Sequence, residues 1–402
     1  MSEATAAIGQ KTESFNALDE ALRASGPAAV LDALIHQLDE RKEFRPLLDA
    51  LLLKARHDLG LPLVQAGGFS EIPEALRSSY EDRYVAAVRT VGAKLLAEGD
   101  IPNAWPYFRA IGETEPVVKA IDAYEPADDD PRLSQIVEVA FNQGANPAKG
   151  FALILKQYGT CSAITAFEHL PRDESIRALC ADRLVRQLHD HLAANLRAEI
   201  SQRGQPLQPE GAPIADLILG REWLFVDDSY HVDVSHLSAT VRVSPLLTDP
   251  ATLALAADLC AYGRQLSPRH RYEGDPPFED VYVDHGIFLD AIQGREVDTA
   301  LAHFQAKLIP PPNNDPENET PFDPSAAQVL VGLLVRLGRL DQAIDIAAQY
   351  LAGIPEGSLF CPGVSQLCQR SGQLNRLAQI ARDQGDLVHY AAAIIQSEPS
   401  HA

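Results

Sequence analysis

The stretch "VRTVGAKLLAEGDIPNAWPYFRAIGETEP", Val88–Pro116, decides how the chain is read. Val88, Val91, Gly92 and Leu95 recur at helical spacing, and Gly99 interrupts the pattern. Ile101, Ala104 and Phe108 resume it, and Pro116 follows. An amphipathic helix needs apolar residues three and four apart, and a helix end favours a glycine because the left-handed conformation costs it nothing. Small residues at a crossing let two helices approach closely. The stretch therefore predicts an antiparallel helical hairpin turning at Gly99. Pro106 is expected in the first turn of the second helix, where a missing N–H is tolerated.

The order of small residues, turn glycine and trailing proline resembles the tetratricopeptide repeat, with one unit near 80–116. Shorter echoes follow Gly144 ("QGANPAKGFALIL"), Gly294 ("QGREVDTALAHFQ"), Gly338 ("LGRLDQAIDIAAQYLAGIP") and Gly372 ("SGQLNRLAQIARDQG"). In the third, Leu340, Ala343 and Pro355 fall at the family's offsets, while Val331 stands where the family prefers a small residue. Within each of the two repeat regions, successive turn glycines lie between 34 (372 − 338) and 45 (144 − 99) residues apart, so the array is irregular. The resemblance implies an all-α fold, a superhelix of degenerate tetratricopeptide-like hairpins that binds a peptide or helix of another protein.

Around these repeats, apolar periodicity from Phe15 to Leu52, broken by "SGP" and "ERKEFRP", predicts an N-terminal bundle of three helices. "PLVQAGGFSEIPE" is a loop, and a longer helix is expected from about Ser78 to Ala97. Ile176, Leu179, Cys180, Leu184, Leu188, Leu192, Leu196 and Ile200 mark a long helix over 172–203 that would brace one half against the other. "SQRGQPLQPEGAP" ends it. The expected organisation is an N-terminal helical domain over 1–204, a linker over 205–215 and a C-terminal repeat domain over 216–402. The Pro- and Asn-rich acidic segment 309–324 is expected to be an exposed, mobile loop in the latter.

Composition supports helices. Apolar residues make up 46% of the chain but aromatics only 6%, with Ala and Leu abundant. The formal charge of −22 repels nucleic-acid phosphates and anionic headgroups and favours a basic partner. With no secretory leader and no apolar run of membrane-spanning length, a cytoplasmic protein without a membrane partner is expected. Cys161, Cys180, Cys260, Cys361 and Cys368 form no C-x-x-C and read as reduced, mostly buried thiols.

The chemistry-bearing stretch is "WLFVDDSYHVDVSHL", Trp223–Leu237. Its helical spacing of Val234, Leu237 and Val241 makes Asp233 an N-cap. Alternatively, His231, Asp233 and His236 supply nitrogen and oxygen donors for zinc or non-haem iron, completed from Asp227, Asp228, His270, Asp284 or His285. H-x-D-x-x-H is not the H-E-x-x-H arrangement, however, and no local residue fixes a third ligand, so the capping reading is preferred.

"LHDHL" places His189 and His191 on different helix faces as solvated residues, and Asp284 and His285 at a helix start read as packing. "PRHRYEGDPPFED" is the one locally basic loop that could hold an anion, and Pro362 is expected in the first turn of a helix following Cys361. No phosphate-binding loop, nucleophile elbow or dinucleotide fingerprint is present. The reading is a non-catalytic interaction module without a cofactor, binding a basic or helical segment near Trp105, Tyr107 and Arg109 or at the C-terminal hairpins; a metal-dependent enzyme or sensor around Tyr230–His236 is the alternative.

Overall fold

Gly26, with its positive φ, and the short turn at Arg41–Glu43 cut the N-terminal periodic run into α1 (Glu3–Ser25), α2 (Pro27–Glu40) and α3 (Phe44–Asp58). These are the three helices the spacing predicts. The computed structural model describes residues 3–64, 72–127, 129–309 and 323–397, with side chains from Glu13 onward. Most of "PLVQAGGFSEIPE" and nearly all of segment 309–324, expected to be mobile, lie outside the described residues. Two compact units, Met1–Gln157 and Tyr158–Ala402, make up the chain.

In the first unit, α4 (Glu74–Ala97) and α5 (Ile101–Ala110) form the hairpin read from Val88–Pro116. Gly99 adopts φ +74°, and the amide of Asp100 donates to the carbonyl of Leu95 at 2.9 Å, tying off the helix end. Gly92 lies against Phe108, and a Cβ there would stand 2.8 Å from the ring. This is the close approach the small residue was read to allow. Pro106 corrects the expectation: it is the sixth residue of α5, not in its first turn, and deprives the Pro102 carbonyl of an intrahelical partner. Consecutive helices pack on one another through α6 (Glu115–Asp122), and α7 (Leu133–Val137) runs into a π-helical turn at Glu138–Asn142. The helix α8 (Pro147–Glu168) is broken by non-helical Gly159, beside the division between the units.

The second unit begins with a hub. The long helix α9 (Glu174–Gln202) is capped by Asp173, which accepts from the Ile176 amide at 3.0 Å. It lies wholly inside this unit, against α10 (Ile214–Ile218), α11 (Val234–Arg242) and α12 (Pro250–Gly263). The segment 205–215, expected to link two domains, joins α9 to α10 within the unit.

From α12 onward each helix packs on its successor: α13 (Val281–Ile292), α14 (Val297–Gln305), α15 (Ser325–Arg336), α16 (Leu340–Tyr350), α17 (Val364–Ser371), α18 (Leu374–Gln384) and α19 (Leu387–Ser397). One apolar core runs through α13–α19, including Phe304, Leu330, Leu334, Ile344, Leu367 and Ala393.

One turn recurs along this ladder. At Gly338 φ is +72°, and the amide of the next residue, Arg339, donates to the carbonyl five residues back, Leu334, at 2.9 Å. The same bond closes the turns at Gly294, Gly372 and Gly385. Such a bond satisfies a carbonyl that the helix end would otherwise orphan. Gly144, Gly294, Gly338 and Gly372 all adopt the left-handed conformation, as read from sequence; Gly385 and its hairpin carried no repeat signal strong enough to be recognised. Pro362 precedes α17 instead of entering its first turn, and Gly363 is the N-cap. The fold is all-α, with many helices packed in pairs as a helical repeat requires. Among the described residues there is no β-strand, only an isolated bridge between Glu273 and Asp280.

Candidate functional site

Trp223–Leu237 folds as a pinned connection between α10 and α11. Glu222–Asp228 forms a short 3₁₀ segment that buries Leu224, and the Arg203 guanidinium stands 4.4 Å from the Trp223 ring. Asp227 and Asp228 both adopt positive φ, turning the chain sharply. The turn is held from outside: Arg269 pairs with the Asp228 carboxylate at 3.3 Å, and His270 Nε2 donates to its backbone carbonyl at 3.1 Å. The basic loop that might have held an anion thus spends Arg269 and His270 on Asp228, while Arg271 donates to the carbonyls of Leu266 and Arg264.

His231 is the centre of this connection. Its backbone N–H donates to the Tyr262 hydroxyl at 2.8 Å. That hydroxyl lies 2.9 Å from Nδ1, and Nε2 lies 3.0 Å from Glu199. Burial pushes the His231 pKa below its ordinary value, against the attraction of Glu199, so the imidazole is neutral. A single proton arrangement then satisfies every group: Nε2–H donates to the carboxylate, and the tyrosine hydroxyl donates to Nδ1 while accepting from the amide. Asn195 of α9 donates to the carbonyl of His231.

Asp233 caps α11, accepting from the amides of Ser235 and His236 at 2.8 and 3.2 Å. The Ser235 hydroxyl foremost, with these amides, holds its pKa below the usual carboxylate value. Two of the three residues considered as metal ligands are engaged by protein groups. His231 has no free ring nitrogen, and Asp233 serves the helix end. Among the described residues no three His, Cys, Asp or Glu side chains are grouped as a metal would need. His236 instead lines a shallow depression of about 400 Å³ with Thr160, His191, Asn195 and Asp233.

Two further polar clusters brace the hub. His189, expected at the surface, is buried because its ring bonds to Asp258 at 3.3 Å, and that carboxylate also accepts from the Ile214 amide at the start of α10. His191, two residues on, is exposed. Asp284 is 2% exposed and accepts from His303 at 2.7 Å, Lys307 at 2.9 Å and the Asp280 amide at 2.9 Å. Beside it, His285 stacks on Phe278 with ring centroids 4.1 Å apart and bonds the Val281 carbonyl; burial lowers its pKa to about 4. Sequence reasoning named Asp284 and His285 but not the distant partners of Asp284, His303 in α14 and Lys307 just beyond it, which carry no local signal.

Trp105, Tyr107 and Arg109 do not share one exposed face. Trp105 is 5% exposed and sits in the core of the first unit, Tyr107 is half-buried against it, and only Arg109 is exposed.

The ladder offers a different kind of site. Leu351, Ile354, Val364, Leu377 and Ile380 line a cavity of about 260 Å³ formed by α16–α19 and their connections. Asp386 and His389 stand in the same lining and bond to each other at 2.6 Å. Backbone bonds from His389, then its ring, keep the Asp386 carboxyl ionised to lower pH than usual. The cavity joins apolar walls to an anionic group, a combination suited to an apolar side chain next to a cation.

All described cysteines are free; Cys180, Cys260 and Cys368 are buried, and Cys161 is exposed. No helix among the described residues is long and apolar enough to cross a membrane. Comparison with protein-family models, curated proteins and solved structures found no match to this chain.

Proposed function

We propose that the chain is a tetratricopeptide-like interaction module that binds a basic peptide segment at the C-terminal ladder, in the cavity lined by Ile354, Leu377, Ile380 and Asp386. The carrying observation is the union of apolar walls and the Asp386 carboxylate at the end of a hairpin array, in a chain of charge −22. Helical arrays present extended surfaces to peptides, and opposite charge steers the encounter. The hub supports this role as a brace, since its imidazoles at His231, His189 and His285 are engaged with protein groups.

Selection of a random peptide library on the full chain tests the reading. Enrichment of an apolar residue beside Lys or Arg is expected, with affinity falling as salt rises. The exposed substitution Gln384→Arg, which places a cation in the lining, should weaken the selected peptides by about tenfold, a change worth about 1.4 kcal/mol. Failure to enrich, or peptides indifferent to Gln384→Arg in a variant that melts like the parent, would overturn it.

A further inference from the structure

One concavity of the hub is used by none of its polar networks. Ile218 and Leu219 at the end of α10, Phe225 of the 3₁₀ segment and Ala261 of α12 wall a cavity of about 230 Å³, and Glu222 and Arg264 stand in the same lining. Phe225 is held from behind by Tyr262, with ring centroids 5.3 Å apart. Leu219 is 77% exposed, so part of the apolar wall faces water.

Both charges of the lining are unspent. The Arg264 guanidinium makes no ion pair or hydrogen bond among the described residues. It lies over the bare backbone of Gly286 in α13, where a Cβ would stand 2.8 Å from Nη1. Asp290, one turn further along α13, pairs with Arg295 instead. Glu222 is exposed and also without a partner among the described residues. Its chain neighbour Arg221 donates to the carbonyls of Leu217 and Pro206. Glu222 and Arg264 thus line one cavity without pairing with each other.

A ligand seated here must answer both charges. An anion is opposed by Glu222 and by the −22 of the whole chain, and a cation is opposed by Arg264. A zwitterion meets neither penalty: its net charge is zero, its carboxylate fits the two-pronged guanidinium, and its ammonium fits the Glu222 carboxylate. The walls favour an apolar remainder, and the volume bounds its size. A cavity of about 150 Å³ holds a benzene-sized body, whereas drug-sized ligands occupy about 300 Å³ or more. We infer that this cavity binds a free α-amino acid with an apolar side chain, its carboxylate on Arg264, its ammonium on Glu222 and its side chain against Ile218, Leu219 and Phe225. Gly286 is then a positioning residue, since its missing side chain leaves the guanidinium its place. The inference stands independently of the peptide reading, because it uses other residues and another charge type.

Calorimetric titration of the full chain with apolar L-amino acids tests it, with two analogues of L-leucine as controls: 4-methylpentanoate, which lacks the ammonium, and leucinamide, which lacks the carboxylate. An apolar amino acid should bind with a Kd of about 1 mM or tighter, and both analogues about tenfold more weakly than L-leucine. Arg264→Gln should abolish binding, and Glu222→Gln should bring L-leucine down to the level of 4-methylpentanoate. Gly286→Ala should weaken it severalfold by displacing the guanidinium, in a variant that melts no lower than the parent. Absence of saturable binding below about 10 mM overturns the inference. So does 4-methylpentanoate binding as tightly as L-leucine, or L-leucine binding unchanged in Arg264→Gln.

Discussion

The hub around α9 and the ladder from α15 to α19 solve the same packing problem with opposite uses of polarity. In the hub, polar groups turn inward: His231 is held between Tyr262 and Glu199, His189 by Asp258, and Asp284 by His303 and Lys307. In the ladder, helices meet through apolar side chains and repeated glycine turns, and apolar residues are left facing outward on α19. A satisfied polar network fixes one arrangement of its elements, whereas exposed apolar surface retains free energy to be released on contact with something else. The contrast teaches that most of the polar residues singled out by type are engaged with other protein groups, whereas some residues that look like ordinary helix filler remain exposed.

That contrast is broken most severely at Asp284. Replacing it with alanine leaves Lys307 and His303 facing a partly buried site without their shared acceptor, and a loss of about 3 kcal/mol or more is expected in urea unfolding of the full chain. A loss below about 1 kcal/mol would mean the network is incidental to the hub.

Acid should act next, and on the hub first. His285 has a folded pKa of about 4, below its unfolded value near 6.5, so the unfolded chain binds the proton more readily. Its contribution is present above about pH 6.5 and is lost as pH falls toward 4, by up to about 1.4 kcal/mol per pH unit. His231 acts in the same direction, because its pKa is also lowered. Unfolding midpoints recorded between about pH 4 and 7 should slope less in His285→Phe than in the parent. An unchanged slope would remove His285 as the cause.

The smallest effect sharpens the other side of the comparison. Gly338→Ala meets no neighbour within 4 Å, so its cost is that of the left-handed backbone alone, about 1 kcal/mol. Thermal melting should show a modest drop, with affinity for the selected peptides retained. A collapse of the whole ladder would mean that the turn does more than close a helix end.

Much of the fold was legible because it is local. The turn glycines, the caps at Asp173 and Asp233, the three N-terminal helices and the span of α9 all follow from residues within a few positions of one another. Pro106 was misplaced because a proline tolerated inside α5 leaves the apolar period around it unchanged. The site was less legible. Trp105 looked like a binding residue by type, yet it is core, and the decision lay in Leu47, Val91 and Ile121 packing in the same cluster. His231 looked like a ligand because its two occupants, Glu199 and Tyr262, lie about thirty residues away on α9 and α12.

By itself, then, the sequence determined an acidic all-α chain, its helix spans and its glycine turns, because helical period, capping and left-handed glycine are properties of short segments. Tertiary structure alone decided which polar residues are consumed internally and which apolar residues remain in water. Burial and hydrogen-bond partnership are set by segments distant in the chain, and the same helical stripe is core or surface according to what the fold brings against it.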